Sequence, residues 1–279
     1  MGTKGRKNWV VRNAATAARR PSILLEYLAY QLNRAAHGGT AVRTFSNGIK
    51  ISAFTGFGEY HSCAEAISKS ESQFLETYPF GGGDLLDIGA NLGVVAASLC
   101  RRFPNRRLHA FEPNPATHAA LVKNLARNGC KLAEAYQLAV ADHDGEVRFA
   151  ADDASRATNH IAAASDPNAK PVKCVTVDSF VASNSLAKIA LMKVDVEGYE
   201  KLVFDGARES LVAGRIAAVY FEVCPVLAAR AGYGPADAAQ LLASAGYRLF
   251  TLSSRGELLP ADIGLIGGVQ LANWIALKD

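Results

Sequence analysis

Two groups of side chains in the 279-residue sequence have the types and spacing for chemistry. The first is acidic. Asp195 and Glu197 stand in Lys193-Val194-Asp195-Val196-Glu197-Gly198-Tyr199-Glu200, after the apolar run Ile189 to Val194, and Glu222 stands near the end of the apolar run Ile216 to Val223. Carboxylates crowded at strand ends raise one another's pKa toward that of a useful general base, or else form an oxygen-rich site for Mg²⁺. Asp195 or Glu197 is therefore the expected catalytic or acceptor-orienting group. Asp195 with Glu222 is the pair to examine for a metal, although the principal reading uses none. The competing reading of Glu197 is structural, as a helix-start acid or a partner of Lys193. His160, in the long polar stretch 151–171, is the other candidate base, with His61 behind it; an ordinary surface role competes for both.

The second group would hold a nucleoside. Asp84 to Ile88 reads as a buried strand, Gly89-Ala90-Asn91-Leu92-Gly93 turns it into the helix starting at Val94, and Arg106 to Glu112 reads as a second strand ending in an acid before Pro113. Glycine lets backbone approach a ligand, a helix start offers free N–H groups, and a carboxylate closing the second strand can accept both ribose hydroxyls. The turn is G-x-x-x-G, not the G-x-G-x-x-G that a pyrophosphate wants, and Asp87 favours a cationic ligand. S-adenosylmethionine, with its ribose, sulfonium and ammonium, fits this pattern. A nicotinamide-dependent oxidoreductase is disfavoured by the glycine pattern.

The elements that must position these groups follow from the patterning. From Gly81 onward apolar strands alternate with helical segments, the signature of a mainly parallel sheet covered on both faces, an α/β fold. Glu134 to Val140, Val172 to Val177 and Tyr247 to Leu252 read as further strands, and Gln270 to Leu277 closes the sheet in an antiparallel pair. Asp178 reads as a helix cap, and Glu200 to Val212 as one helix. Residues 1–80 form a separate arm and cap: a basic, alanine-rich helical segment to about residue 37, a hairpin centred on Asn47-Gly48, and a glycine-rich loop in which Phe57 and Tyr60, with Tyr199, would wall an acceptor site. Residues 81–279 form the nucleotide-binding domain.

Composition narrows the classes. Hydrophobic residues make up 49% and the formal charge is +4, with no basic run interleaved with aromatics, which argues against a nucleic-acid groove. The five cysteines are scattered and never in C-x-x-C spacing, so neither a disulfide framework nor a zinc site is expected, and a reducing cytoplasm is the expected compartment. No apolar h-region follows the basic cluster Lys4, Arg6, Lys7, Arg12, and no apolar run approaches the roughly 20 residues of a membrane span. The apolar stripe of the first helix would suit packing or a homodimer contact, and its basic face a membrane surface.

The motifs Leu86-Asp87-Ile88-Gly89-Ala90-Asn91-Leu92-Gly93, Phe111-Glu112-Pro113-Asn114, Val175-Thr176-Val177-Asp178-Ser179-Phe180 and Lys193 to Glu200, in this order between about Gly56 and Val223, resemble the FkbM family of S-adenosylmethionine-dependent methyltransferases. The resemblance implies a class I methyltransferase (Rossmann-like) fold, a doubly wound seven-stranded sheet with one antiparallel strand. It also implies O-methylation of a hydroxyl on a small molecule, sugar or natural product. By the same resemblance Asp87, Gly89, Asn91 and Gly93 would line the methionine and ribose portion of S-adenosyl-L-methionine. Glu112 would hold the ribose hydroxyls, Pro113 and Asn114 would lie beside the adenine, and Asp142 would meet its amino group. N-methylation of an amine, or nucleoside binding without turnover, are the alternatives.

Overall fold

The computed structural model of the chain describes residues 21–150, 160–162, 166 and 169–278. Ahead of the central sheet come helix α1 (Pro21–Ala36), the antiparallel hairpin β1 (Val42–Thr44) and β2 (Lys50–Ser52), and helices α2 (Phe57–Ser62) and α3 (Lys69–Thr77). The hairpin turns at Asn47-Gly48 as the sequence predicts, with Gly48 at φ 81°. Buried Asn124 fastens it to the body: its Oδ1 accepts from Ser52 N at 3.0 Å and its Nδ2 donates to Leu92 O at 2.9 Å. Ser68 and Glu71 start α3 with a reciprocal capping box.

The central sheet contains β3 (Asp84–Ile88), β4 (Leu108–Phe111), β5 (Ala133–Tyr136), β10 (Ile189–Val194), β11 (Ala218–Val223), β12 (Tyr247–Leu252), β13 (Leu258–Pro260) and β14 (Ala272–Lys278). Their order is β13-β12-β14-β11-β10-β3-β4-β5. Seven of these form the expected class I sheet in which β14 alone runs antiparallel, inserted between β11 and β12. The short β13 adds an eighth, antiparallel edge strand on β12.

Strand residues alternate between two apolar layers, as a sheet covered on both faces requires. Leu85 and Leu191 face α4 (Val94–Arg102) and α5 (Pro115–Arg127), meeting Leu99 and Leu121. Leu86 and Met192 face α6 (Val177–Ser183), α7 (Glu200–Asp205) and α10 (Asp237–Ser244), meeting Phe180, Phe204 and Leu242. Two further short helices, α8 (Arg208–Val212) and α9 (Pro225–Arg230), flank β11 in the chain.

Four local expectations change. The glycine-rich loop expected around Phe57 and Tyr60 is largely helix α2. The stretch 134–140 is not one strand: β5 is a half-exposed sheet edge, and past Tyr136 the chain leaves to form β6 (Ala139–Val140), which pairs with β9 (Lys170–Val175). β9, β7 (Gly145–Ala150) and β8 (His160–Ile161) complete a separate four-stranded sheet. The expected helix 200–212 is two helices interrupted around Gly206, where a Cβ would lie 2.0 Å from Ala141 O, so the close backbone approach requires glycine there. Asp178 does not cap its own helix, which Thr176 caps. Its carboxylate instead accepts from Glu209 N at 2.9 Å and Ser210 N at 2.8 Å, closing the start of α8.

Asp178→Ala removes both acceptors from a helix start, so chemical denaturation is expected to show a loss of about 1 kcal/mol. An unchanged midpoint would mean that water replaces the carboxylate without penalty.

Candidate active site

Strand order reverses between β3 and β10, and in an open α/β sheet that point places a crevice at the carboxyl ends of the strands. A cavity of about 350 Å³ lies there. Gly89 follows β3 into it, Glu112 follows β4, Asp195 follows β10, and Glu222 is the penultimate residue of β11. Leu138, Val140 and Phe149 give it an apolar wall, and Glu59, Ser62 and Cys63 close it from the cap. A second hollow, among Lys201, Asp205 and Gln240, contains none of the predicted groups.

One buried cation organises the floor. Register pairs Lys193 with Asp87 on adjacent parallel strands, so both side chains emerge on the same face. Lys193 Nζ lies 3.4 Å from Asp87 Oδ1 and 3.3 Å from Asp195 Oδ2, and donates to Gly89 O at 3.0 Å. Burial by itself would lower the pKa of this ammonium, but Asp195 and Asp87 outweigh it and hold the lysine charged above its ordinary range. Asp87, 0% exposed, is the counterion beneath the turn and does not line the cavity. This corrects its expected contact with the cofactor: on β3 it shares the parity of Leu85, which faces α4.

The glycines also serve packing. A Cβ on Gly89 would fall 1.9 Å from Asp195 O, and one on Gly93 would fall 2.7 Å from Leu121 Cδ1, with φ 78° and 85°. Gly89 lines the cavity; Gly93, the left-handed residue before α4, does not. Between them Asn91, at φ 48°, lines the cavity with a buried Oδ1 that has no hydrogen-bond partner. Glu112 accepts Asn91 N at 3.1 Å and Asn114 N at 2.9 Å, which fixes its carboxylate at the cavity edge.

The segment 195–200 divides its roles by residue. Glu200 is buried and accepts Val196 N at 3.1 Å and Gly198 N at 3.3 Å, so the structural role belongs to it. Gly198, at φ 97°, is needed because a Cβ would meet the Leu227 backbone at 2.5 Å. These two hold Glu197 at φ 57°, a left-handed conformation rare for a non-glycine residue and costing of order 1–3 kcal/mol. Glu197 lines the cavity, and burial, then Asp195 and Glu200, push its pKa up to about 7. Glu222 is pushed up to about 9 by burial, then by Asp195, Glu200 and Glu197, and its Oε2 has no hydrogen-bond partner.

The structure thus brings Gly89, Asn91, Glu112, Pro113, Asp195, Glu197 and Glu222 to one cavity. Others fall away from it. Asn114 spends its Oδ1 on Ala116 N and Thr117 N at the start of α5. Asp142 bonds His143 Nδ1 at 2.7 Å with its side chain 42% exposed, because the chain has already turned into the second sheet. His160 pairs through its backbone with Ala150, and its side chain lies outside the described residues. His61 binds Glu26 at 2.7 Å, and Phe57 and Tyr60 pack against Tyr30, not around an acceptor. Tyr199 is likewise absent from the cavity wall. Asp195 and Glu222 share the cavity, but no group of three His, Cys, Asp or Glu among the described residues is arranged to hold a metal ion.

Sequence reasoning missed the cap residues Glu59, Ser62 and Cys63, which carry no motif. It also missed the importance of Lys193, although a lysine inside an otherwise apolar, fully buried strand demands a buried partner. Burial pushes the Cys63 thiol up to about 12, so it is no nucleophile.

Residues 87–249, more than half of the chain, match the family model described as the methyltransferase FkbM domain. Over 162 residues the chain is 31% identical to the hexuronic acid methyltransferase AglP of Haloferax volcanii, covering 58% of this chain and 62% of that protein. It is 35% identical over 78 residues to the methyltransferase sdnD of Sordaria araneosa, covering 23% of this chain and 29% of that one. The chain therefore spans less than two thirds of the length of these curated relatives. A TehB-like SAM-dependent methyltransferase of Corynebacterium glutamicum superposes with a TM-score of 0.43 at 12% identity, covering 80% of this chain and 96% of that chain.

Lys193→Met leaves Asp87 buried without a counterion, and urea unfolding is expected to show a loss of about 3–5 kcal/mol. The double variant Asp87→Asn, Lys193→Met should recover a large part of it. A small loss in the single variant would mean that the ion pair does not organise the floor.

Proposed function

The chain belongs to the FkbM methyltransferase family, and from that premise we propose that it transfers the methyl group of S-adenosyl-L-methionine to a hydroxyl of a small molecule, most specifically a sugar. The observation that carries this reading is the single cavity with a ribose-type acceptor, Glu112, on one side and three carboxyl groups, Asp195, Glu197 and Glu222, on the other. The similarity to a hexuronic acid methyltransferase supports a sugar acceptor.

The residues present fit the cofactor. Asn91 lines the cavity and its buried Oδ1 has no partner, which suits a ligand with N–H donors; Glu112 suits paired hydroxyls, and the Leu138, Val140 and Phe149 wall suits a purine face. When bound, the sulfonium supplies a methyl carbon already activated for in-line displacement. The protein's work is then alignment and exclusion of water.

A hydroxyl acceptor profits from a base whose pKa lies near the working pH. Glu197, pushed up to about 7, meets that condition and would take the hydroxyl proton on its carboxylate. Glu222, pushed up to about 9, is protonated at neutral pH and can donate a hydrogen bond to the acceptor. Asp195, fixed by Lys193 at 3.3 Å, would orient the acceptor.

Calorimetry with S-adenosylhomocysteine should show binding, and NAD should show none; the reverse would remove the methyltransferase reading. Glu112→Ala should weaken S-adenosylhomocysteine by about 1.5–3 kcal/mol through loss of charge-assisted hydrogen bonds. Unchanged affinity would place the ribose elsewhere.

With an acceptor found by screening hydroxylated sugars and metabolites, kcat/KM is expected to rise with pH through about 7 and then level. Glu197→Gln should lower the plateau by about 10²–10⁴-fold and abolish the rise; a rise that persists would exclude Glu197 as the base. Stability runs the other way. The folded chain holds this proton more tightly than an ordinary glutamate of pKa 4.5, so the contribution is full below 4.5 and lost as pH rises through about 7.

A further inference from the structure

The cavity at the switch point has two ends. Sheet order puts β11 and β14 on one side of the β3–β10 junction and β4 and β5 on the other. Glu222 on β11 and Leu271, immediately before β14, mark the first end, with Asp195 and Glu197 after the neighbouring β10. Leu138, which follows β5, marks the second. On the methyltransferase reading the nucleoside takes the second end and the acceptor the first.

Charge distinguishes what the acceptor end can take. Among the described residues that line the cavity, five carry carboxyl groups, Glu59, Glu112, Asp195, Glu197 and Glu222, and one carries an ammonium, Lys193. That ammonium is spent: it faces Asp87 at 3.4 Å and Asp195 at 3.3 Å and donates to Gly89 O at 3.0 Å, three partners for three N–H groups. Nearby donors are spent as well. Val196 N goes to Glu200 at 3.1 Å, and the Ser62 hydroxyl goes to Gly58 O at 2.9 Å. Arg230 exerts its charge on Glu197 without lining the cavity. Leu271, 63% exposed, and exposed Ala66 give the mouth an apolar surface. An anionic group placed here would meet carboxylates while these donors are held by the protein itself, and like charges at close quarters are strongly unfavourable. S-adenosyl-L-methionine suits such a site, since its sulfonium and ammonium outnumber its one carboxylate.

Resting on that methyltransferase reading, we propose that the acceptor end selects by charge: the substrate is an uncharged hydroxylated sugar or glycoside, and its carboxylate-, phosphate- or sulfate-bearing counterpart is rejected. Selection of this kind works by exclusion, so the site need not hold a neutral sugar tightly in order to refuse a charged one. A neutral acceptor also fits the transfer. Its hydroxyl oxygen bonds to the methyl carbon as the carbon–sulfur bond breaks, the electron pair of that bond stays on sulfur, and the hydroxyl proton passes to the Glu197 carboxylate.

The test is turnover of matched sugars by the full chain with S-adenosyl-L-methionine, read as S-adenosylhomocysteine formed. The methyl glycosides of glucose, galactose and mannose are each compared with the corresponding uronate and with its uncharged uronamide, which keeps the shape and removes the charge. kcat/KM should be at least about tenfold higher for the glycoside and the uronamide than for the uronate. Leu271→Arg, at the exposed mouth, should narrow that gap. A uronate used as well as its neutral partners, or a gap that Leu271→Arg leaves unchanged, would overturn the proposal. Calorimetry reads the charge of the site without any acceptor. Sinefungin, which carries an ammonium where the cofactor carries its sulfonium methyl, should bind at least about threefold more tightly than S-adenosylhomocysteine. Equal or weaker binding would overturn the proposal even with no sugar turned over. Failure of both ligands to bind would remove the methyltransferase reading and the charge selection with it, whereas uronate turnover would remove the charge selection alone.

Discussion

A single ammonium group joins the two halves of the site. Lys193 lies between Asp87 at 3.4 Å, Asp195 at 3.3 Å and the Gly89 carbonyl at 3.0 Å. Asp87 belongs to the first strand of the sheet, Gly89 to the turn after it, and Asp195 to the end of the strand across the switch point. Hydrogen bonds of the parallel ladder set the register of the two strands, and the lysine ties the loops that follow them to each other at the cavity floor. Buried ion pairs are poor sources of net stability, since desolvation offsets much of their attraction, yet they are exacting about geometry. The glycine at 89 completes the constraint: with no Cβ, it lets the Asp195 backbone come to where a methyl group would collide.

The excess of acid over base around that lysine explains the chemistry available at the mouth. Asp87 and Asp195 both face the one ammonium, and three further carboxyl groups, Glu197, Glu200 and Glu222, crowd beside them. Burial and mutual repulsion then spread their proton affinities. Glu200, whose carboxylate accepts from backbone N–H groups, and Glu197 are both pushed up to about 7, and Glu222 to about 9. The strained backbone of Glu197 fits the same picture, since Gly198 and Glu200 hold a turn whose product is the position of one carboxylate. Two carboxyl groups of different affinity in one cavity would give the proposed acceptor both a proton taker and a proton donor at neutral pH.

Much of this was legible in the sequence wherever a local rule set the outcome. Alternating strands and helices gave the doubly wound sheet, Asn47-Gly48 gave the hairpin, and the acid ending the second strand led to Glu112 at the cavity. What was not legible depended on which face of an element a residue takes. Asp87 was expected on the cofactor, but the strand's two-residue period turns it beneath the turn. Gly93 was expected to line the cofactor but does not line the cavity; Leu121 of α5 occupies the space its side chain would need. Asn114 and Asp142 looked like ligand contacts and became a helix cap and a surface pair. Glu59 and Ser62 reach the cavity from a cap far away in sequence, through packing that no short motif records. The apolar outer face of α1 was visible as a stripe, but which side of it met the body needed the tyrosines and Glu26 to be seen in place.

The central claim is that one cavity at the switch point holds both the nucleoside and the reacting groups. A crystal structure of the chain with S-adenosylhomocysteine tests it most directly. The account predicts ribose hydroxyls within hydrogen-bond reach of Glu112, the amino group beside Asn91 Oδ1, and the sulfur facing Asp195 and Glu197. A ligand bound outside that cavity, or a cavity closed by the chain's own side chains while the ligand sits elsewhere, would contradict it.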